Sequence, residues 1–187
     1  MSRSLSISTV CCAFASLFLL ASVANAEKIA NPAYDQWAKF KPGAFAKHEG
    51  ETVAMGNANK MTMMAKLVEL TDEKAVVEST TSMSGMDMPP QKMELTKMME
   101  KVEMPKVEGQ EMPKPDTREG EERLDIAGKS LKCKTIETMM KMGDINVTSK
   151  VWMSDEVPGG MVKMESKTDG AMASTTTQKL TEFRAGG

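Results

Sequence analysis

The chain has 187 residues, 41% of them hydrophobic, and a formal net charge of −2. That length suits one domain with its own core, and the slightly acidic balance argues against the basic surface typical of nucleic-acid-binding proteins. One histidine and three cysteines also argue against most zinc sites built from these residues and against a disulfide framework.

The first 26 residues have the pattern of a secretory signal peptide. Arg3 supplies a positive charge, residues 9–24 form an uncharged apolar run, and Ala24-Asn25-Ala26 provides the small residues of a cleavage site. We therefore predict cleavage after about Ala26 and an exported protein, periplasmic or extracellular. An uncleaved anchor is the alternative. We expect no stable transmembrane segment after cleavage, since the later apolar runs are too short to span a bilayer.

A short helix is predicted at the start of the processed chain. Asn31-Pro32 is typical of a helix start, with Asn as the N-cap and Pro at the first helical position. Tyr34, Trp37 and Phe40 follow at intervals of three and so share one face. We expect this helix to cover part of a sheet.

After residue 43 the chain becomes a series of short runs rich in Thr, Val and Met, separated by turn residues, which predicts antiparallel strands. The runs cover residues 45–55, 60–70, 75–83, 122–126, 131–138, 146–154, 161–167 and 172–183. In the second run, Met61, Met63 and Leu67 are predicted to share a face. The predicted fold class is mainly β (α+β): a meander of about eight antiparallel strands, as an open or closed barrel, with the short N-terminal helix.

Residues 27–187 are predicted to form one β-rich domain with an insertion at about residues 84–121. The insertion holds five of the eight prolines and many Lys and Glu residues. Residues 93–102 fit either an irregular strand or a short helix, and residues 103–121 are predicted to be a solvated loop. Such a loop could also engage another envelope protein.

Methionine is unusually frequent, with 19 of the 20 methionines after residue 26. A thioether is a soft ligand that selects Cu(I), so Met83, Met86 and Met88, just before Pro89-Pro90, are candidate metal ligands. The competing interpretation is that methionine fills a core poor in aromatic residues, or lines a cavity for an apolar ligand. We favour this second interpretation and expect no cofactor, with Cu(I) as the alternative.

Catalytic residues are hard to assign. His48 is predicted to be an exposed residue at a strand end, and Cys133, between Lys132 and Lys134, a buried and inert thiol. The sequence places neither a base beside a nucleophile nor a glycine-rich phosphate loop, which favours a protein that is not an enzyme.

Two stretches, LDIAGKSLKC at 124–133 and VWMSDEVPGGMVK at 151–163, resemble strand pairs of small, uncharacterised exported bacterial envelope proteins. Residues 37–43 resemble the start of the same domains. The fold that this resemblance implies is similar to that of the lipoprotein-carrier (LolA/LolB-like) open β-barrel group. The resemblance implies a cavity between sheet and helix that holds an acyl chain or another apolar ligand.

The sequence thus predicts a non-enzymatic exported binding or structural domain that holds an apolar or acyl ligand between sheet and helix. Two alternatives stay open. One is a methionine-based Cu(I) buffer or chaperone, and the other is an envelope protein-interaction module.

Overall fold

The computed structural model describes residues 27–101, 115–170 and 173–186. The predicted signal peptide and most of the predicted loop after residue 102 lie outside the described residues. The described elements, in chain order, are β1 (Lys28–Ala30), α1 (Pro32–Ala38), β2 (Phe45–Ala54), β3 (Asn57–Leu70), β4 (Lys74–Met83), β5 (Met86–Asp87), β6 (Gln91–Thr96), β7 (Met98–Glu100), β8 (Asp116–Ile126), β9 (Lys129–Met142), β10 (Ile145–Met153), β11 (Met161–Asp169) and β12 (Ser174–Arg184).

One antiparallel sheet contains ten of the described strands. Its order is β5-β4-β3-β2-β12-β11-β10-β9-β8, with β6 also paired to β4. Consecutive strands pair from β2 to β5 and from β8 to β12, whereas the β2–β12 and β4–β6 pairings join strands that are not consecutive in the chain. β1 and β7 form a separate two-stranded sheet. Among the described strands, β8 forms one edge of this sheet, and β5 and β6 form the other. The two edges do not pair with each other, so the sheet is open.

The mainly β meander with a short N-terminal helix is confirmed, and each of the eight predicted runs is a strand. The count of about eight was too low, because β1, β5, β6 and β7 are short additional strands. Of residues 93–102, residues 93–96 and 98–100 are strand rather than helix, and residue 102 lies outside the described residues. Residues 116–121, predicted to be loop, belong to β8, where both faces are exposed and apolar alternation is absent.

Helix α1 packs on β4 and β6. Its N-cap, Asn31, accepts a hydrogen bond from the Ala33 amide at 3.0 Å and donates one from Nδ2 to the Thr96 carbonyl at 2.8 Å. Tyr34 and Trp37 are buried against Leu67 and Val77 in the first core cluster. The predicted aromatic face therefore fixes the helix to the sheet.

A second core cluster joins β8–β12 to the loop at residues 154–160. It contains Leu131, Cys133, Trp152 and Val157. Nε1 of Trp152 donates a hydrogen bond to Glu122 at 2.7 Å, which satisfies the indole N–H in a half-buried place. The cluster holds the strands that lie far from α1.

The strand register assigns each side chain to one of two faces, because directly opposed residues and residues two apart share a face. We call the face that carries Leu67, Ala75 and Val77, and hence α1, the helix face, and the other the outer face. Met61, Met63 and Leu67 share the helix face, as predicted. Since α1 has only seven residues, it covers a small part of the helix face, and no other helix occurs in the described residues.

Candidate binding face of the sheet

The methionines that the structure describes lie outside the two core clusters. Both core clusters are built from aromatic, aliphatic and Cys side chains, and no methionine whose side chain the structure describes is buried. The interpretation that methionine fills the core is therefore wrong for this part of the chain. Met83, Met86 and Met93 are 46%, 71% and 60% exposed, so their thioethers are open to a ligand.

Four methionines lie in one line across the helix face, which we call the methionine row. Its members are directly opposed from strand to strand: Ile136, Val151, Met164, Gln178, Gly50, Met61, Met83 and Met86. Neighbouring strands are about 4.8 Å apart, so the row crosses eight strands over about 33 Å. Most of its side chains are half-buried or exposed, which is unusual for apolar groups on a sheet face that packs against a helix.

A second line on the helix face consists of hydroxyl side chains and is called the hydroxyl row. Its members are Thr117, Thr138, Ser149, Ser166, Thr176 and Thr52, on six successive strands. The Oγ1 atoms of Thr52 and Thr176 are 3.1 Å apart, within hydrogen-bond distance. Five of the six members, all except Thr117 on β8, lie two residues from a methionine-row member on the same strand, so a polar band runs beside the methionine row. This arrangement suits an amphiphilic ligand.

Gln178 interrupts the methionine row with a buried amide. Its side chain is packed over Gly50, where a Cβ would lie 3.5 Å from the Gln178 Cβ and Cγ and 2.9 Å from the Thr177 carbonyl oxygen. Gly50 thus leaves the space that Gln178 fills. The Gln178 Nε2 atom is buried without a hydrogen-bond partner in the described residues, a costly state that an acceptor on a ligand would relieve.

A hollow of about 370 Å³ opens beside α1, at the β9 end of the methionine row. Its walls are Gln36, Glu121, Lys132, Lys134, Ile136, Met153, Asp155 and Glu156. Lys132 pairs with Glu121 at 2.9 Å and Lys39 pairs with Asp155 at 2.5 Å. The Lys39 hydrogen bond lowers the pKa of Asp155, and Lys134 has a smaller effect in the same direction. The Gln36 Oε1 atom is buried and has no hydrogen-bond partner in the described residues.

Two of the three candidate metal ligands come together. Met83 and Met86 are directly opposed across the β4–β5 hairpin, and Met61 is opposed to Met83 on the other side. Met88 instead lines a groove of about 730 Å³, together with Phe45, Thr62, Met64 and other residues of the outer face. The structure therefore groups Met61, rather than Met88, with Met83 and Met86.

His48 is not the exposed strand-end residue that the sequence predicts. It lies within β2, is buried, and its Nε2 is 2.9 Å from the Met161 carbonyl oxygen. Burial lowers the pKa of His48, with the hydrogen bond to Met161 acting in the opposite direction. His48 is also directly opposed to Met63. The two residues are 15 positions apart in the chain, so the sequence alone does not indicate that they are neighbours.

Cys133 is buried, as predicted. Burial raises the pKa of its thiol, and the negative charges of Glu122 and Glu156 add to that effect. Within the described ranges, no group of three or more His, Cys, Asp and Glu residues is arranged to hold a metal ion. Nor does any helix there have the length and apolarity needed to cross a membrane.

Sequence reasoning missed the two rows because they depend on strand register. Met164 and Met61 are separated by about a hundred positions but lie on the same line. The available signal was weak. A Ser or Thr stands two positions from the methionine-row member on most strands.

No protein-family model matches the chain, and no curated protein matches it. A solved structure, titled the crystal structure of a "putative lipoprotein" from Parabacteroides distasonis, is similar with a TM-score of 0.45 and 12% sequence identity. The match covers 79% of this chain and 98% of that chain. Membership of the lipoprotein-carrier group therefore stays a prediction.

Proposed function

We propose that this protein is an exported, non-enzymatic binding protein for an acyl-chain amphiphile. The acyl chain would lie along the methionine row, and the polar head would occupy the hollow beside α1. The observation that carries the proposal is that the half-exposed apolar row leads directly into this hollow at Ile136, which belongs to both. Export rests on the predicted signal peptide, and Glu27 as the N-terminal residue of the purified protein would support it.

The chain-binding part of the proposal rests on Ile136, Val151 and Met164. Ile136 is 38% exposed and the other two are half-buried, so a ligand can remove further apolar area from water. Each buried methylene contributes about 0.8 kcal/mol. A flexible methionine adapts to chains of different shape, so we expect this surface to tolerate several chain lengths.

The head-binding part rests on the groups that line the hollow. Lys134 offers a positive charge on its wall, and Gln36 offers a buried acceptor without a partner. An anionic head with a hydroxyl or amide donor complements both groups. At about 370 Å³ the hollow suits a head group better than a whole acyl chain, which would continue along the row.

The first test is binding of a fluorescent fatty acid to the exported protein. Val151→Asp puts a charge between Ile136 and Met164 and is expected to weaken binding at least tenfold. Val53→Asp is the matched control, because Val53 is 40% exposed and lies on the outer face of β2. Equal affinities for the two variants, or no binding by the wild type, would overturn the proposal.

The second test addresses the head group. Lys134→Glu is expected to weaken binding of the fatty acid but to leave binding of the corresponding neutral alcohol nearly unchanged, since only the acid carries an anionic head. Lys66→Glu, an exposed lysine on the outer face of β3, is the control. Equal loss for acid and alcohol would place the head elsewhere.

A further inference from the structure

We infer that Met61, Met83 and Met86 form a three-thioether site for a soft monovalent metal ion, Cu(I). The site uses the β3–β5 end of the methionine row and goes beyond the proposed amphiphile binding, which rests on the β9–β11 end. Either function can fail without the other.

The β4–β5 hairpin brings two of the ligands together. Ser84 and Gly85 both have positive φ, 51° and 83°, as in the tight two-residue turn that suits a hairpin. Met83 and Met86 flank this turn and are directly opposed. The Ser84 amide donates a 2.8 Å hydrogen bond to the Lys60 carbonyl, which ties the turn to β3. The hairpin therefore has a fixed position beside Met61.

The third ligand comes from the neighbouring strand. Met61 is directly opposed to Met83, and directly opposed Cβ atoms are about 5 Å apart. Met83 thus lies between the other two, whose strands are separated by about 9.6 Å. Three rotatable bonds in each methionine allow all three sulfurs to turn toward one point above Met83.

The chemistry of this donor set favours Cu(I). Thioethers are soft and neutral, need no deprotonation, and select Cu(I) over harder ions. Met83 and Met86 are exposed and Met61 is half-buried, so an ion can reach the sulfurs without opening the fold. Asp87 is opposed to Ser82 and hence lies on the outer face, so its carboxylate is not in line with the three sulfurs.

The test is titration of the exported protein with Cu(I) under anaerobic, reducing conditions against a chromogenic Cu(I) chelator. We expect one tightly held equivalent for the wild type. The variant with Met61→Leu, Met83→Leu and Met86→Leu is expected to lose at least a hundredfold in affinity. The control with Met55→Leu, Met93→Leu and Met98→Leu removes three exposed methionines elsewhere and should bind like the wild type.

Two further measurements make the test specific. Met88→Leu should leave the affinity within twofold, since Met88 lines the outer groove. Affinity measured at pH 5 and pH 7 should also agree within about threefold, because thioethers do not titrate, whereas a site using His48 would weaken in acid. Retained affinity in the Met61, Met83 and Met86 variant, or equal loss in the control variant, would overturn the inference. Circular dichroism of each variant would show whether the fold is kept.

Discussion

His48 is a buried imidazole in the centre of the sheet, and this makes the stability of the protein depend on pH. Burial lowers the pKa of His48 from its ordinary value near 6.5, whereas the unfolded chain keeps that ordinary value. Below pH 6.5 the unfolded state therefore binds more protons. The free energy of unfolding falls as the pH drops from about 6.5 to the folded-state pKa, by up to about 1.4 kcal/mol per pH unit.

Urea denaturation at pH 7.5 and 5.5 checks this prediction. The matched variant is His48→Gln, whose amide can still donate to the Met161 carbonyl but does not titrate. The stability advantage of the wild type over this variant should be smaller at pH 5.5 than at pH 7.5. A difference that is the same at both values would contradict a neutral, buried His48.

Cys133 is expected to resist thiol reagents in the folded protein. The thiol is fully buried, and a raised pKa lowers the fraction present as the reactive thiolate. Its reaction with a chromogenic disulfide reagent should be slower than that of the denaturant-unfolded chain by orders of magnitude. Complete reaction of the native protein within seconds would show that the β9 region opens readily.

At the level of elements, the β8–β9 hairpin depends on a turn with two residues in the left-handed region. Ala127 has φ 51° and Gly128 has φ 73°, as in a type I′ turn, which Asn-Gly fits best. Gly128→Ala should lower the free energy of unfolding by about 1–2 kcal/mol. Ala127→Asn should raise it by a few tenths of a kcal/mol to about 1 kcal/mol, because Asn tolerates this conformation.

Ala58→Asn is the control for this turn, since Ala58 is an exposed residue within β3 and Asn gains nothing in an extended strand. Thermal unfolding of Gly128→Ala, Ala127→Asn and Ala58→Asn, measured beside the wild type, gives the order of their stabilities. A destabilising Ala127→Asn would contradict the turn assignment.

Strands with one buried face could be predicted from the sequence, and strands without one could not. In β9, Leu131 and Cys133 alternate with lysines, and the burial pattern follows. In β8, residues 116–121 are exposed on both faces, because an edge strand full of charge is held by its backbone pairing with β9 rather than by apolar contacts. Such a segment has no alternation of apolar and polar residues, so its sequence predicts a loop.

The candidate site was accessible to sequence reasoning only where its residues are close in the chain. Met83, Met86 and Met88 are grouped by the sequence because they lie close together just before Pro89-Pro90. Met61 joins them through the β3–β4 pairing, and His48 meets Met63 through β2–β3. These contacts depend on how strands far apart in the chain are paired and aligned, and residue composition does not specify that alignment.

For the whole molecule, Trp37 connects the two core clusters. It is buried in the first cluster, and a Cβ at Gly159 would lie 2.9 Å from its ring. Gly159 belongs to the loop whose Val157 is part of the second cluster. One side chain therefore couples the packing of α1, β3 and β4 to the packing of β8–β12.

Trp37→Ala should lower the free energy of unfolding by about 3–5 kcal/mol and should also uncouple the two clusters. Trp152, in the second cluster, is then the remaining tryptophan of the two, so its fluorescence reports that cluster alone while circular dichroism reports all strands. In the variant the fluorescence transition is expected at higher denaturant concentration than the first loss of strand signal in circular dichroism, whereas the wild type should unfold in one step.

Phe40→Ala is the control, because Phe40 packs against the first cluster only and its loss should weaken the fold without splitting the transition. Coincident transitions in Trp37→Ala would mean that the continuous sheet itself, through the β2–β12 pairing, keeps the two halves cooperative.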